Sequence, residues 1–389
     1  MKFSLPLALA LVPWLSSPAL AQAKELPEEV VRSIEDRCNE RLWTLYEERG
    51  FAGLSAALVL PDGSVLSFPV GSADVEAEVD MAPEHRLLSG SIGKTYVTAA
   101  AHHLALAGKL SFDDRAAKYF EGAAWLERVP NAKEVTIRQL LRHESGLPRY
   151  VFKPDFFPTC VENPDKVWTP EELLAWVFDD DPVHTPGEGW AYSDTNFLVV
   201  GMVIEKVSGT TFYDYVREHL LEPNGLRDTV PSDSREIEGL TQGYCVSLRS
   251  FGVPERVLED GVFAYNPQFE WCGGGYASTP SDLARWGFSL YRGEAMEGDY
   301  LSTMLDTVPA QLGPGKEYGL GVMVRETPLG RQIGHDGIMT GFLATMAYFD
   351  GAQIAGSLML NTDDQRALGT SPERLLEELA SIAAEELAN

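Results

Sequence analysis

Extended apolar runs sit at both ends of this chain and helix-patterned stretches fill its middle; no other feature restricts the possible folds as much. Near the start, "GLSAALVLPDGSVLSFPVGSAD" gives two apolar runs around Pro61-Asp62-Gly63, the pattern of a β-hairpin. Late in the chain "EYGLGVMVRE", "RQIGHDG", "GFLATMAYFD" and "AQIAGSLMLNT" are extended again. Between them the pattern predicts helices at roughly 91–108, 136–143, 170–178, 194–208 and 211–221. A helix over "PEEVVRSIEDRCNERLWTLYEERG" precedes the hairpin, with Val30, Ile34, Leu42 and Leu45 broadly on one side and Gly50 closing it. Another at 372–388 ends the chain. The order predicts an α+β fold: an antiparallel sheet flanked by helices, assembled from residues 24–115 and 275–389, with a mainly helical insert at 116–274. With 389 residues, 44% of them hydrophobic, the chain has enough for a substantial core.

The first 23 residues stand apart as "MKFSLPLALALVPWLSSPALAQA". Lys2 is a short positive start, Phe3 to Leu15 is apolar, and Ala19-Leu20-Ala21 or Ala21-Gln22-Ala23 offers a small-x-small cleavage site. That is the pattern of a secretory signal peptide, and the run is too short, with Pro6 and Pro13 inside it, for a membrane anchor. An exported protein, periplasmic or extracellular, with no membrane span after signal removal is therefore expected. A formal charge of −27 argues against nucleic acid or an anionic membrane as partner. Four cysteines, Cys38, Cys160, Cys245 and Cys272, would meet an oxidising compartment. They allow three complete pairings; Cys245 and Cys272 flank one excursion of the chain and are the preferred bridge, with free buried thiols the alternative. Their spacing and the seven scattered histidines give no metal set, so neither metal nor cofactor is expected.

The stretch "LLSGSIGKTYVTAAAHHLALAGKL" places Ser91 and Lys94 at i and i+3, on one helix face. A serine hydroxyl is a weak nucleophile until a base takes its proton, and burial can lower a lysine's pKa enough to help. The helix N-terminus there favours developing negative charge. Ser-x-x-Lys alone is a weak motif, but four further stretches follow it in order: "LLRHESGLP", "TPGEGWAYSDTNFLVVGMVIEKVSG", "GGGYASTPSDLARW" and "GHDGIMTGF". Together, from about residue 51 to 360, they resemble the serine β-lactamase/penicillin-binding superfamily, in the branch holding class C-like β-lactamases, D-amino-acid peptidases and related esterases. The resemblance implies a β-lactamase/transpeptidase-like fold, acylation of Ser91, and proton transfer shared by Lys94 and Tyr192 of Tyr192-Ser193-Asp194. It places His335-Asp336-Gly337 on a strand edging the substrate and makes the backbone N–H groups of Ser91 and Ile338 the oxyanion hole. The implied substrate is a small-molecule ester, amide or peptide, with no cofactor.

Two departures bear on that substrate. Asp194 stands where the family has Asn, so an amide donor is replaced by an acceptor; beside Lys94 it would keep the lysine charged and shift the base role toward Tyr192. Asp336 adds a second acid, so a substrate carboxylate would meet two carboxylates and only the titratable His335. Esters, D-amino-acid amides or amine-bearing substrates are favoured over β-lactams, and Asp194→Asn is expected to improve acylation by β-lactams. A non-catalytic relative that binds cell-wall peptide or a partner is the other reading, and the intact Ser91, Lys94 and Tyr192 count against it. Arg149 is read as a candidate cation or a solvated surface residue, and residues 149–168 as a roof over the cleft or a surface loop. His143 is expected to make a helix-end hydrogen bond, His102 and His103 to face a neighbouring element or solvent, and glycines 273–275 to allow close backbone approach.

Overall fold

The structure, a computed structural model, describes residues 26–389; the expected signal peptide lies outside the described residues. Helix α1 (Glu28–Arg49) ends at Gly50, whose φ of 65° gives the left-handed cap expected of it. It leads into the hairpin of β1 (Gly53–Val59) and β2 (Val65–Asp74). The intervening turn is held by Asp62, whose Oδ1 accepts from the Ser64 amide at 3.0 Å and the Ser64 hydroxyl at 2.6 Å. Late in the chain come β3 (Met323–Thr327), β4 (Gly330–Met339), β5 (Phe342–Phe349) and β6 (Ile354–Leu360). These six run in the order β2-β1-β6-β5-β4-β3, and three two-residue strands extend the edges to a nine-stranded antiparallel sheet. The junction of the two ends, β1 against β6 in register Leu54↔Leu360, lies inside the sheet.

Both faces are covered, so β1, β5 and β6 are buried at every residue. Alternation sorts their side chains. Leu54, Leu58, Leu343, Phe349 and Leu358 face α1 and the last helix (Pro372–Ala388), whereas Val59, Ala344, Met346, Tyr348 and Met359 join the larger core on the other face. The buried helices α2 (Lys94–Leu106) and α3 (Asp194–Ser208) pack on each other beyond that second face, α2 joined to the sheet through the turn that precedes it, and α4 (Pro280–Tyr291) packs against the face itself. The run Ala99-Ala100-Ala101 lets neighbours approach α2 on all sides, and α3 is buried from Asp194 through Ile204.

The other predicted helices are shorter than their patterns. Residues 136–143 give Ile137–Leu141 behind a Thr136/Gln139 capping box; 170–178 give Pro170–Leu174 and a 3-10 turn; 211–221 give Phe212–Val216 and a π turn. Between 222 and 275 the chain is largely irregular, with three two-residue strands. Among the described residues no helix is long and apolar enough to cross a membrane.

The preferred Cys245–Cys272 bridge is corrected by the structure: all four cysteines are buried and unbonded. Each packs as a small hydrophobe, and burial pushes the thiols of Cys38, Cys160 and Cys245 up to about 12. The native protein should therefore react negligibly with Ellman's reagent and release four thiols on denaturation; a count below four would restore a bridge.

Candidate active site

Ser91 is carried by a 3-10 turn, Gly90–Gly93, and Lys94 opens α2 directly behind it. Residues i and i+3 eclipse in such a turn, so the lysine side chain lies back over the serine. Its Nζ donates to Ser91 Oγ at 2.9 Å, to Asp194 Oδ1 at 2.7 Å and to the Gly273 carbonyl. Three acceptors use all three N–H bonds of an ammonium. Burial opposes that charge, but the Asp194, Tyr192 and Glu270 side chains and the hydrogen bond to Asp194 outweigh it, and the Lys94 pKa is raised.

The turn is fixed on both sides. The Ser89 amide donates to the Tyr276 carbonyl at 2.9 Å, and the Thr95 hydroxyl donates to the Ile92 carbonyl at 2.7 Å while accepting from the Trp286 indole at 2.8 Å. Two glycines let the turn press against β4. A Cβ on Gly90, which has φ +50°, would lie 2.8 Å from the Ile338 nitrogen, and one on Gly337 would overlap the Ser89 carbonyl. The backbones bearing the Ser91 and Ile338 amides are thus in direct contact.

Asp194 is the first residue of α3, where the helix N-terminus favours a carboxylate. Its Oδ2 accepts from Arg149 Nε at 3.0 Å and Nη2 at 2.7 Å, while Oδ1 faces Lys94. Burial would raise its pKa, but the charges of Arg149 and Lys94 and their hydrogen bonds hold it well below the usual carboxylate range. Both sequence readings of Arg149 are corrected by this. The guanidinium is committed to Asp194, with the Phe152 and Tyr192 ring centroids 3.9 and 5.0 Å away. The rest of the 149–168 segment is neither simple roof nor loop: Tyr150 and Phe156 pack into an aromatic cluster with Trp168, Trp176 and Phe269, while Phe152 stays exposed.

Tyr192, just before α3, is bracketed by His143. The Ala191 amide donates to the His143 carbonyl at 3.0 Å, the Ser193 amide donates to His143 Nδ1 at 3.1 Å, and the His143 and Tyr192 rings lie 4.1 Å apart, tilted by 35°. Burial, then the nearby Lys94 charge, holds His143 neutral. His143 therefore makes the hydrogen bonds expected of it and also sets the Tyr192 ring. The Tyr192 hydroxyl is buried with no hydrogen bond of good geometry, although Ser91 lies close enough to favour its phenolate. Burial raises its pKa, and the charges of Lys94 and Arg149 only partly offset that. Of the other two histidines, His102 is buried against Phe112 and bonds the Thr98 carbonyl, and His103 bonds the Tyr215 hydroxyl.

On β4, strand alternation separates residues that the sequence grouped. His335 and Gly337 pair across the strand with Met346 and Ala344, on the face that carries Ser91; Asp336 pairs with Thr345, on the face of α1 and the last helix. The expectation that Asp336 meets substrate is corrected accordingly. Its carboxylate accepts from the Thr345 hydroxyl at 2.8 Å beside Lys316 and Glu373, and burial and Glu373 push it up to about 6. His335 is corrected as a cation. Its Nδ1 lies 2.6 Å from the Asp336 carbonyl and so must donate, which leaves Nε2 to accept from the Tyr318 hydroxyl at 2.9 Å. Burial takes its pKa down to about 3, so it is neutral at any working pH.

One acid escaped the sequence reading. Glu270 ends the short turn Pro267–Glu270, and its Oε2 would lie 3.5 Å from a Cβ on Gly273 and 3.0 Å from one on Gly274. Gly274 in turn packs against Gly93 of the Ser91 turn. Burial and the Asp194 carboxylate push Glu270 up to about 7, against the pull of Lys94 and Arg149. Its signal in the sequence was a lone acid in the otherwise uncharged run "QFEWCGGGYA".

A Beta-lactamase family model matches residues 31–380. A penicillin-binding protein of Bacillus subtilis is 25% identical over 313 residues, 78% of this chain and 66% of its own length. A D-aminopeptidase of Brucella anthropi is 25% identical over 292 residues, 74% of this chain and 52% of its own. The chain thus spans at most about two thirds of these curated relatives' length. A solved D-stereospecific amidohydrolase from Streptomyces sp. superposes with a TM-score of 0.73 at 25% identity, covering 86% of this chain and 99% of that one. Fold and family model agree over nearly the whole described chain, and the protein belongs to the beta-lactamase family.

Proposed function

We propose that this chain is an exported serine hydrolase that cleaves an ester or amide bond through an acyl-enzyme on Ser91, taking neutral or amine-bearing D-amino-acid-type substrates ahead of β-lactams. The observation that carries this reading is the Ser91 hydroxyl, held 2.9 Å from the Lys94 ammonium beside the unpartnered hydroxyl of Tyr192. Ser91 Oγ attacks the carbonyl as its proton passes to Tyr192, and the backbone amides of Ser91 and Ile338 receive the developing oxyanion. Tyr192 returns the proton to the leaving alcohol or amine, and water then releases the acyl group by the reverse relay. Tyr192 is favoured as base because all three Lys94 N–H bonds are engaged. Lys94 instead stabilises the phenolate by its charge.

The substrate reading rests on charge. A β-lactam or D-Ala terminus brings a carboxylate, but Lys94 and Arg149 are both committed to Asp194, His335 is neutral, and Lys316 lies on the other face with Asp336. The names of the D-aminopeptidase and D-stereospecific amidohydrolase fit a D-configured acyl group. Export rests on the pattern of residues 1–23.

Because Tyr192 works as the base with a pKa above its ordinary value, its active form is a minor species at pH 7. kcat/KM on p-nitrophenyl butyrate should rise about tenfold per pH unit from pH 7 toward pH 9. A plateau already reached near pH 7 would hand the base role to a more acidic group.

A further inference from the structure

We infer that Glu270 is the specificity residue of this cleft and takes the free α-ammonium of an amino-acid amide or of a peptide's first residue; the inference rests on the serine-hydrolase reading above. Its carboxylate lies along the backbone of Gly273 and Gly274, whose neighbours are Lys94 on one side and the Ser91 turn on the other. The other charged groups beside it are matched: Lys94 and Arg149 share the two oxygens of Asp194. Glu270 has no hydrogen bond and no ion pair among the described residues, and it is only part-buried. A recessed carboxylate without a partner is costly, and a substrate cation is the group that relieves it. A carboxylate substrate would meet repulsion at the same point. An acyl group bearing an amine next to its carbonyl fits best, since one end must sit at Ser91 and the other beside Gly274, which packs against the Ser91 turn.

The test compares D-alanine p-nitroanilide with its N-acetyl derivative, in the wild type and in Glu270→Gln, which keeps the side-chain shape. The wild type should prefer the free amine in kcat/KM by about tenfold or more, and Glu270→Gln should cut that preference by a similar factor, the usual scale of a charge-assisted hydrogen bond. Glu270→Asp should keep part of it. Thermal melting of each variant checks that the fold is intact. An equal fall on both compounds, the mark of a deacylation base, overturns the inference, as does an unchanged preference. If the wild type turns over p-nitrophenyl butyrate through Ser91 but takes neither alanine compound, the inference falls and the hydrolase reading stands. If no Ser91-dependent turnover of any of the three is found, both fall.

Discussion

Ser91→Ala is expected to lower turnover of p-nitrophenyl esters by on the order of 10⁴-fold or more and to abolish labelling by a fluorophosphonate probe. The hydroxyl is the group assigned to bond to the acyl carbon, and the turn that carries it is fixed by backbone and neighbouring side chains rather than by Ser91 itself. Removing one oxygen loses the hydrogen bond from Lys94, about 1 kcal/mol, while Asp194 and the Gly273 carbonyl still hold the ammonium. Melting should therefore fall by no more than about 2–4 °C. Retained turnover in a folded variant would overturn the nucleophile assignment. Absence of labelling and turnover in the wild type would favour a binding relative instead.

The largest effect on stability is expected from Asp194→Asn, about 3–5 kcal/mol by urea denaturation. Asp194 is the shared anion of two cations, and an amide in its place leaves both without their ion-pair partner. The two cations do not suffer equally. Arg149, with its side chain 29% exposed, can turn toward water, whereas Lys94 at 0% cannot. Arg149→Met should accordingly cost less than Asp194→Asn. The pH sign follows from Asp194 being held below its ordinary pKa: its stabilisation is complete above the unfolded value and is lost only as pH falls through the folded one. The variant also has a kinetic mark. The Asp194 carboxylate is one of the charges that raise the Tyr192 pKa, so with Tyr192 as base its removal should move the rise of kcat/KM to more acidic pH. Wild-type stability in Asp194→Asn would mean that the three groups are not coupled. The sequence-based expectation that this change simply improves β-lactam acylation is thereby revised, since the carboxylate holds the cleft together as well as displacing an amide.

What the sequence conveyed were local patterns and their order. Ser91 and Lys94 are three residues apart, the Pro61-Asp62-Gly63 turn is written in its own residues, and α3 reads directly from "DTNFLVVGMVIEKVSG". What it did not convey depends on parity and distance. His335, Asp336 and Gly337 are consecutive, but which of them faces Ser91 depends on the register of β4 against β5. Arg149 meets Asp194 across 45 positions, and Glu270 reaches the site from a short irregular turn. Cys245 and Cys272 bracket one excursion, yet both thiols are unbonded in the larger core, Cys272 against Gly201 of α3, and bracketing in sequence carries no information about such positions.

The junction of β1 with β6 has a consequence for how the molecule is made. Val59 is in place early on the ribosome, but its partner on that side, Ala355, emerges about 300 residues later, which at roughly 5–20 residues per second takes on the order of 15–60 s. For that interval the amino-terminal hairpin has one unpaired edge and no final tertiary structure around it. Nascent chains cut short before the last strand should remain protease-sensitive throughout, and a holding chaperone would have its binding window there rather than after release.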